Sequence, residues 1–351
     1  MNEKKLFVDV HAIQTLPPSC LNRDDTGSPK AASVGGVTRA RVSSQAWKRA
    51  MRLEFRNLFE ADTLGSRTKR ITALVAAEIK KLKPETDDEK AEKLAMDALT
   101  NAGLKMKSAE TGTDALFFLS TGQASALAAL AVGGEKDKKA YAAALKSSPS
   151  IDMALFGRMV ASDPSLNFDA AAQVAHSIST HEVHNEYDYF TAVDDCAPED
   201  NAGAGHIGTA EFNAATLYRY ATVSVTELEK SLGTQTGNTV RGFVDAFIRS
   251  MPTGKQNTFA NRTFPDFVYV EIRRDQPMNL SGAFENPVVS RSGYTEESIQ
   301  RLAARVKKLE EMYAAKPEKA FVIGEDAMGL GELVTLPELL EKLGAAVSEG
   351  L

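Results

Sequence analysis

The chain has 351 residues, 43% of them apolar, and its 41 lysines and arginines against 47 aspartates and glutamates give a formal charge of −6. That length suffices to bury a sizeable core in one large or two smaller domains, so a disordered chain is excluded. Its longest apolar runs, Ala124 to Val132 and Phe267 to Val270, fall well short of the roughly 20 residues that span a bilayer, so no membrane association is expected.

The first residues alternate polar and apolar and place Asp9 inside the only apolar run, which predicts an amphipathic strand, Leu6 to Ile13, rather than a signal peptide. A cytoplasmic location follows as an expectation, with Cys20 and Cys196 reduced rather than paired. Pro17, Pro18, Gly27, Pro29, Gly35 and Gly36 then predict a long loop, and loops of that length are usually functional or disordered. From Ser44 onward Trp47, Met51, Phe55 and Leu58 recur at helical spacing, with Lys48, Arg52 and Arg56 on a neighbouring face and Ser43 or Ser44 as the N-cap.

Arg67 to Leu82, Asp87 to Ala102, Gln123 to Val132 and Asp137 to Lys146 predict four helices, with a strand at Ala115 to Leu119 between the pairs. Residues 60–150 thus read as a mostly helical insertion. Strands are expected at Ile151 to Val160 and Val174 to His184, then a polar, glycine-containing excursion from Tyr187 to Gly208 and a returning strand from Glu211 to Val225. The remainder predicts a helix at Val240 to Met251, strands at Phe267 to Arg273 and Phe321 to Gly324, and helices at Ser298 to Tyr313 and Leu336 to Val347. Without a strict βαβα rhythm, an α+β fold with large insertions fits this order.

Although the chain is acidic overall, Val37 to Leu58 holds six cations (Arg39, Arg41, Lys48, Arg49, Arg52, Arg56) against Glu54 alone, a local charge of +5. A basic patch on an acidic protein is the electrostatic footprint of nucleic acid. His181 and His184 with Cys196 and His206 lack the paired close spacing of a zinc site. Gly254-Lys255 lacks the upstream glycine of a phosphate-binding loop. Neither a metal nor a cofactor is expected.

The run from Pro18 to Asp25 (Pro-Ser-Cys-Leu-Asn-Arg-Asp-Asp), then Gly35-Gly36 and the stretch from Arg41 to Arg52, resembles the opening of the type I-E CRISPR Cascade backbone subunits, the CasC family. Similar blocks follow in the family's order: Ala154 to Met159, His176 to Val183, Asp188 to Asp195, His206 to Phe212, Tyr218 to Ala221, and Gly254 to Gln256. The resemblance implies a hand-shaped protein with an RRM-like, ferredoxin-like palm (1–59, 171–186 and 213–351), a helical fingers insertion (60–170) and a β-hairpin thumb (187–212). It implies a non-catalytic, homo-oligomeric filament along crRNA, a ribonucleoprotein of antiviral defence. Each thumb would kink the guide held by a neighbouring copy. Implied partners are crRNA, target DNA, further copies of the chain, other Cascade subunits and an associated nuclease, with no membrane.

Lys48 and Arg49 are the leading phosphate contacts, with Arg39, Arg41, Arg52 and Arg158 as further cations and Ser44 and Gln45 as neighbours near a helix N-terminus, where free N–H groups favour anions. Asn22 and Arg23 in the loop, and Lys255 and Gln256 before a strand, complete the polar RNA-binding set. Met159 and Phe190 are expected to act as apolar wedges that replace a stacking neighbour at each kink the resemblance implies, with Tyr189, Thr191 and Val193 as secondary candidates on the hairpin of Phe190. Lys136, Lys138, Lys139 and Lys146 are candidate DNA contacts. Two rivals remain: a metal-dependent ribonuclease using Asp24, Asp25 or Asp194, and a general single-strand-binding protein indifferent to CRISPR repeats.

Overall fold

The structure is a computed structural model and describes residues 5–108, 110, 112–160, 163–193, 195–196, 206–325 and 328–350. Strand β1 (Phe7–Ser19) is buried along almost its whole length, as a central strand covered on both faces must be, and it runs past the expected end at Ile13. The expected long loop contains a hairpin in which β2 (Ala31–Val34) pairs with β3 (Val37–Val42). Gly35 and Gly36 turn it with φ of 61° and 80°, which suits a two-residue turn that other residues adopt only at a cost. Helix α1 (Ser44–Leu58) starts where Ser43 Oγ accepts the Ala46 N–H at 3.3 Å, and it buries Trp47, Met51 and Phe55, as their spacing predicts.

The expected helix Arg67 to Leu82 gives its first residues to strand β4 (Gly65–Thr68), and α2 (Ile71–Leu82) follows. Asp87 caps α3 (Asp88–Asn101) by accepting the Lys90 N–H at 2.8 Å. A small hairpin of β5 (Met106–Ser108) and β6 (Gly112–Thr113) precedes β7 (Phe117–Ser120), which pairs with β4. Ser120 and Gln123 form a reciprocal cap on α4 (Thr121–Val132), and α5 (Lys138–Ala144) begins at Asp137.

The expected strand Ile151 to Val160 is instead a helix, α6 (Ile151–Phe156), in which every residue from Ile151 to Leu155 is buried. A short run buried on all sides carries no period that separates helix from strand. The expected strand Val174 to His184 is two pieces, β8 (Ala172–Val174) and β9 (Ser177–Ser179). Next come β10 (Glu186–Ala192) and the long β11 (His206–Ser224), then α7 (Val225–Leu232), α8 (Thr236–Arg249) and α9 (Gln256–Phe259). The chain closes with β12 (Phe267–Arg273), α10 (Thr295–Met312), β13 (Lys319–Ile323), β14 (Glu332–Leu333) and α11 (Leu336–Gly350).

The main sheet runs β14-β13-β12-β1-β11-β9-β3-β2, with β8 and β10 both pairing with β11, so the fold is α+β. The chain divides into two compact units. The first comprises Met1–Met51, Val174–Thr222 and Phe243–Ala346. Its core gathers Ile13, Tyr218, Phe267, Tyr269, Phe284 and Leu302 between sheet and helix. The second comprises Arg52–Gln173, Val223–Gly242 and Val347–Leu351, with a helical core of Ile71, Val75, Ile79, Leu99 and Leu127 among others. Among the described residues no helix is long and apolar enough to cross a membrane.

Candidate nucleic-acid interface

Within the first unit, β10 and β11 pair in antiparallel register from Glu186 opposite Phe212 to Ala192 opposite His206. Every residue of β10 is exposed, although a strand with one face on a core would alternate. Tyr187, Tyr189 and Phe190 on β10, Ile207 on β11, and Val193 just beyond β10 therefore present apolar surface to solvent on both faces of the hairpin; Thr191 lies between them. Phe190 lies across from Gly208, where an added Cβ would overlap the ring and come within 2.9 Å of its Cε1. Asp194 lies outside the described residues.

The loop between β1 and β2 is held by its own side chains. Asn22 Oδ1 accepts the Ser43 N–H at 2.9 Å. Asp24 accepts from the Thr26 hydroxyl at 2.7 Å, the Thr26 N–H at 2.9 Å and the Ser28 N–H at 3.0 Å, and these bonds, the Thr26 hydroxyl foremost, hold its carboxyl below the usual range. Such a carboxylate organises a turn, and all three bonds fall on Oδ1. An open concavity of about 530 Å³ is lined by Leu21 to Gly27 and by Gly254. A Cβ on Gly254 would stand 2.7 Å from the Cys20 carbonyl oxygen, so the glycine lets the segment bearing Lys255 and Gln256 approach the loop bearing Asn22 and Arg23. Arg23 lines this concavity, and Lys255 directly follows its lining residue Gly254.

At the start of α1, Arg41 Nη1 and His176 Nδ1 are 3.3 Å apart, and the Ser44 N–H donates to the same His176 nitrogen at 3.3 Å. Burial, then the neighbouring Arg41 and Lys30, hold His176 below the ordinary histidine range. Lys30 and His176 thus join this cluster, which sequence spacing alone did not give: His176 follows Arg41 by more than a hundred residues, and only the pairing of β3 with β9 brings them together. Gln45 and Arg49 are exposed on the same helix. Lys48 is half-buried, which lowers the affinity of its amine for a proton.

Two of the predicted phosphate contacts are corrected. Arg39 is fully buried, and its guanidinium donates to the carbonyls of Val34 (3.3 Å), Ser179 (2.8 Å) and Phe284 (2.9 Å). In the second unit Arg158 is likewise buried, donating to the carbonyls of Leu166 (3.0 Å), Phe118 (3.1 Å) and Leu145 (2.7 Å) and to Gln123 Oε1 (2.9 Å). These donors are spent on the protein's own backbone, and a buried cation cannot also reach a phosphate. Arg52 is partly withdrawn too, pairing through Nε with the buried Asp152 at 2.9 Å and lying 4.6 Å over the Phe118 ring.

Anchoring Arg158 has a consequence for its neighbour. Met159 follows the fixed guanidinium and is 83% exposed, an unusual place for an unbranched apolar side chain. Lys136, Lys138, Lys139 and Lys146 are all exposed on or beside α5, whose N-cap Asp137 accepts the Lys139 N–H at 2.9 Å. His181 is enclosed and stacked on Tyr294 with ring centroids 3.7 Å apart, its Nδ1 2.7 Å from the Glu182 carbonyl and its Nε2 accepting the Thr216 N–H at 3.1 Å. Both ring nitrogens are committed to backbone. Among the described residues the one three-membered group able to hold a metal ion is Asp9, His11 and Glu271, inside the sheet.

The family model described as CT1975-like protein matches residues 8–344. A chain of a CRISPR RNA-guided surveillance complex, pre-nicking, superposes with a TM-score of 0.80 at 34% identity, covering 97% of this chain and 100% of that one. A second CRISPR RNA-guided surveillance complex chain gives 0.65 at 30% identity, with 97% and 99% covered. No curated protein sequence matches. The chain belongs to the CT1975-like protein family, the Cascade backbone proteins that its ordered motifs resemble.

Proposed function

We propose that the chain is the guide-RNA-binding backbone subunit of a type I-E Cascade complex, acting in antiviral defence in the cytoplasm without catalysing a reaction. The observation that carries this reading is the hairpin of β10 and β11, whose aromatic side chains are exposed on both faces. Exposed aromatic side chains gathered on one hairpin mark a partner site, and stacking on bases is their fitting use. In this reading residues 187–212 are the thumb, 60–170 the fingers, and 1–59, 171–186 and 213–351 an RRM-like palm. Phe190 and Met159 serve as wedges beside displaced nucleotides. Tyr189, Thr191 and Val193 border the Phe190 wedge.

Phosphates are held by Arg41, Lys48 and Arg49 with Ser44 and Gln45 at the start of α1, and by Arg23, Lys255 and Gln256 with Asn22 around the concavity. Backbone contacts of this kind carry no sequence information, which is what a subunit serving many guides requires. Copies line up head to tail, because only a heterologous contact propagates a filament. Exposed Lys136, Lys138, Lys139 and Lys146 offer non-specific contacts to target DNA; other Cascade subunits and an associated nuclease supply the remaining steps.

The test is co-expression with a repeat-flanked spacer RNA and, separately, with an arbitrary RNA of equal length. The proposal expects uncut repeat-flanked RNA to co-purify preferentially when the other Cascade subunits are present. Equal retention of both would favour a general single-strand binder. Mg²⁺-dependent fragments that vanish in Asp24→Asn or Asp25→Asn would favour the ribonuclease.

A further inference from the structure

Asp9 and Glu271 face each other directly across the β1 and β12 pair, and His11 stands two residues from Asp9 on the same strand face. All three are fully buried, and one ligand atom from each lies within 4.8 Å of the others. The outward-facing atom of each is already held. Asp9 Oδ2 accepts the Met278 N–H at 2.7 Å. His11 Nδ1 is 3.0 Å from the Tyr218 hydroxyl, which accepts the Leu280 N–H at 2.9 Å. Glu271 Oε2 accepts from the Tyr269 hydroxyl at 2.9 Å and from Arg273 Nη1 at 2.8 Å.

The three inner atoms, Asp9 Oδ1, His11 Nε2 and Glu271 Oε1, make no direct hydrogen bond; the Thr222 and Tyr220 hydroxyls lie near Asp9, Thr222 Oγ1 is itself unpaired, and His11 Nε2 stands 3.6 Å from Glu271 Oε1. Buried polar atoms without partners cost free energy and are rare in folded proteins. The charges point the same way. With Asp275 on the far side of Arg273, three carboxylates against one guanidinium leave two negative charges when His11 is neutral. A divalent cation cancels them.

We propose that Asp9, His11 and Glu271 form a buried structural site for a first-row divalent cation, with Zn²⁺ the best fit. One imidazole and two carboxylates suit Zn²⁺ or Mn²⁺ better than Ca²⁺ or Mg²⁺, which favour all-oxygen sets. Tyr218, Tyr269, Arg273 and the Met278 N–H orient the ligands from behind, as outer partners do in metal sites. Full enclosure gives the ion no substrate to act on, so its role is to clamp β1 to β12, and it enters during folding.

The test uses the full-length chain, freed of RNA by nuclease, unfolded in urea with chelator and refolded with Zn²⁺, with Mn²⁺, or with neither. After desalting, the proposal expects about one equivalent of Zn²⁺ per chain by elemental analysis and a higher urea midpoint than the metal-free sample. His11→Gln, checked by circular dichroism, loses the metal and the midpoint shift. Replacing the exposed pair, Cys196→Ser with His206→Gln, changes neither. Refolding with Co²⁺ in place of Zn²⁺ gives visible d–d absorption in the wild type, a readout independent of the variants' stability. A wild-type chain that retains neither metal and unfolds at one midpoint under all conditions overturns the site. Retention of Zn²⁺ and of the shift by His11→Gln overturns it equally.

Discussion

Phe190 lies over Gly208 on the facing strand, so closely that a methyl group at position 208 would occupy the space of the ring. The glycine is therefore what lets the aromatic ring lie across the hairpin, a pairing that supports a strand where glycine alone would weaken it. Replacing Gly208 by Ala forces the ring off the strand. Because both faces of β10 are exposed, this change is expected to leave the thermal midpoint within a few degrees of wild type while weakening RNA protection at the kinks. Circular dichroism and nuclease footprinting of the same preparation read the two effects separately.

Arg49 and Arg158 are both arginines singled out by sequence, yet they predict opposite behaviour. Arg158→Ala strands three carbonyls and the Gln123 side chain in a buried site, and the loss is expected to be about 3 kcal/mol or more. Urea unfolding checks it. Arg49→Ala, on an exposed helix face, leaves the urea midpoint unchanged. In a salt titration of RNA binding it flattens the slope of log affinity against log salt by about 0.7, the contribution of one phosphate contact on a single strand.

Asp152 accepts from Arg52 Nε at 2.9 Å, from the Gly65 N–H at 2.9 Å and from the Ser150 hydroxyl at 2.8 Å, all within the second unit. Asp152→Ala leaves Arg52 without its partner and frees the start of β4. A destabilisation of about 3 kcal/mol is expected from breaking an enclosed ion pair on one side, measured by urea unfolding. Arg52→Ala alone should cost less, because Arg52 is partly exposed and Asp152 keeps two donors.

His181 predicts a pH dependence. Burial holds it below the usual histidine range, with the nearby Arg39 acting in the same direction and the Glu182 carbonyl opposing. The unfolded chain therefore takes up a proton at higher pH than the folded one. The contribution of neutral His181 to stability is full above the unfolded pKa of about 6.5 and is lost as pH falls through it towards the folded value. Urea midpoints measured from about pH 8 down to about pH 5 should fall, and His181→Gln should flatten that decline.

The regular elements with a strong period were legible: α1 from Trp47, Met51 and Phe55, and β12 at the predicted bounds Phe267–Arg273. Elements lacking a period were not. The buried run at Ile151 was read as a strand and is α6, and the loop before α1 hides the β2 and β3 hairpin, because Gly35 and Gly36 signal a turn without saying whether strands flank it. Charge was the least legible property. Arg39 and Arg158 look like Arg49 in a sequence, and only the carbonyls around them, supplied by segments far along the chain, decide that they are internal. Asp9 stood out only as an acid within an apolar run, and nothing in the sequence paired it with Glu271. Their proximity is a matter of strand register.

The most direct measurement is nuclease footprinting of a repeat-flanked spacer RNA assembled with the Cascade subunits, comparing the wild-type chain with the double variant Phe190→Ala and Met159→Ala. Both side chains are exposed, so the variant keeps its fold. A guide backbone with an apolar wedge at each kink predicts a regular ladder of protection on uncut RNA that loses its sharp hypersensitive positions in the variant. An identical ladder in both proteins would contradict the wedges, and the absence of any periodic protection would contradict the backbone itself.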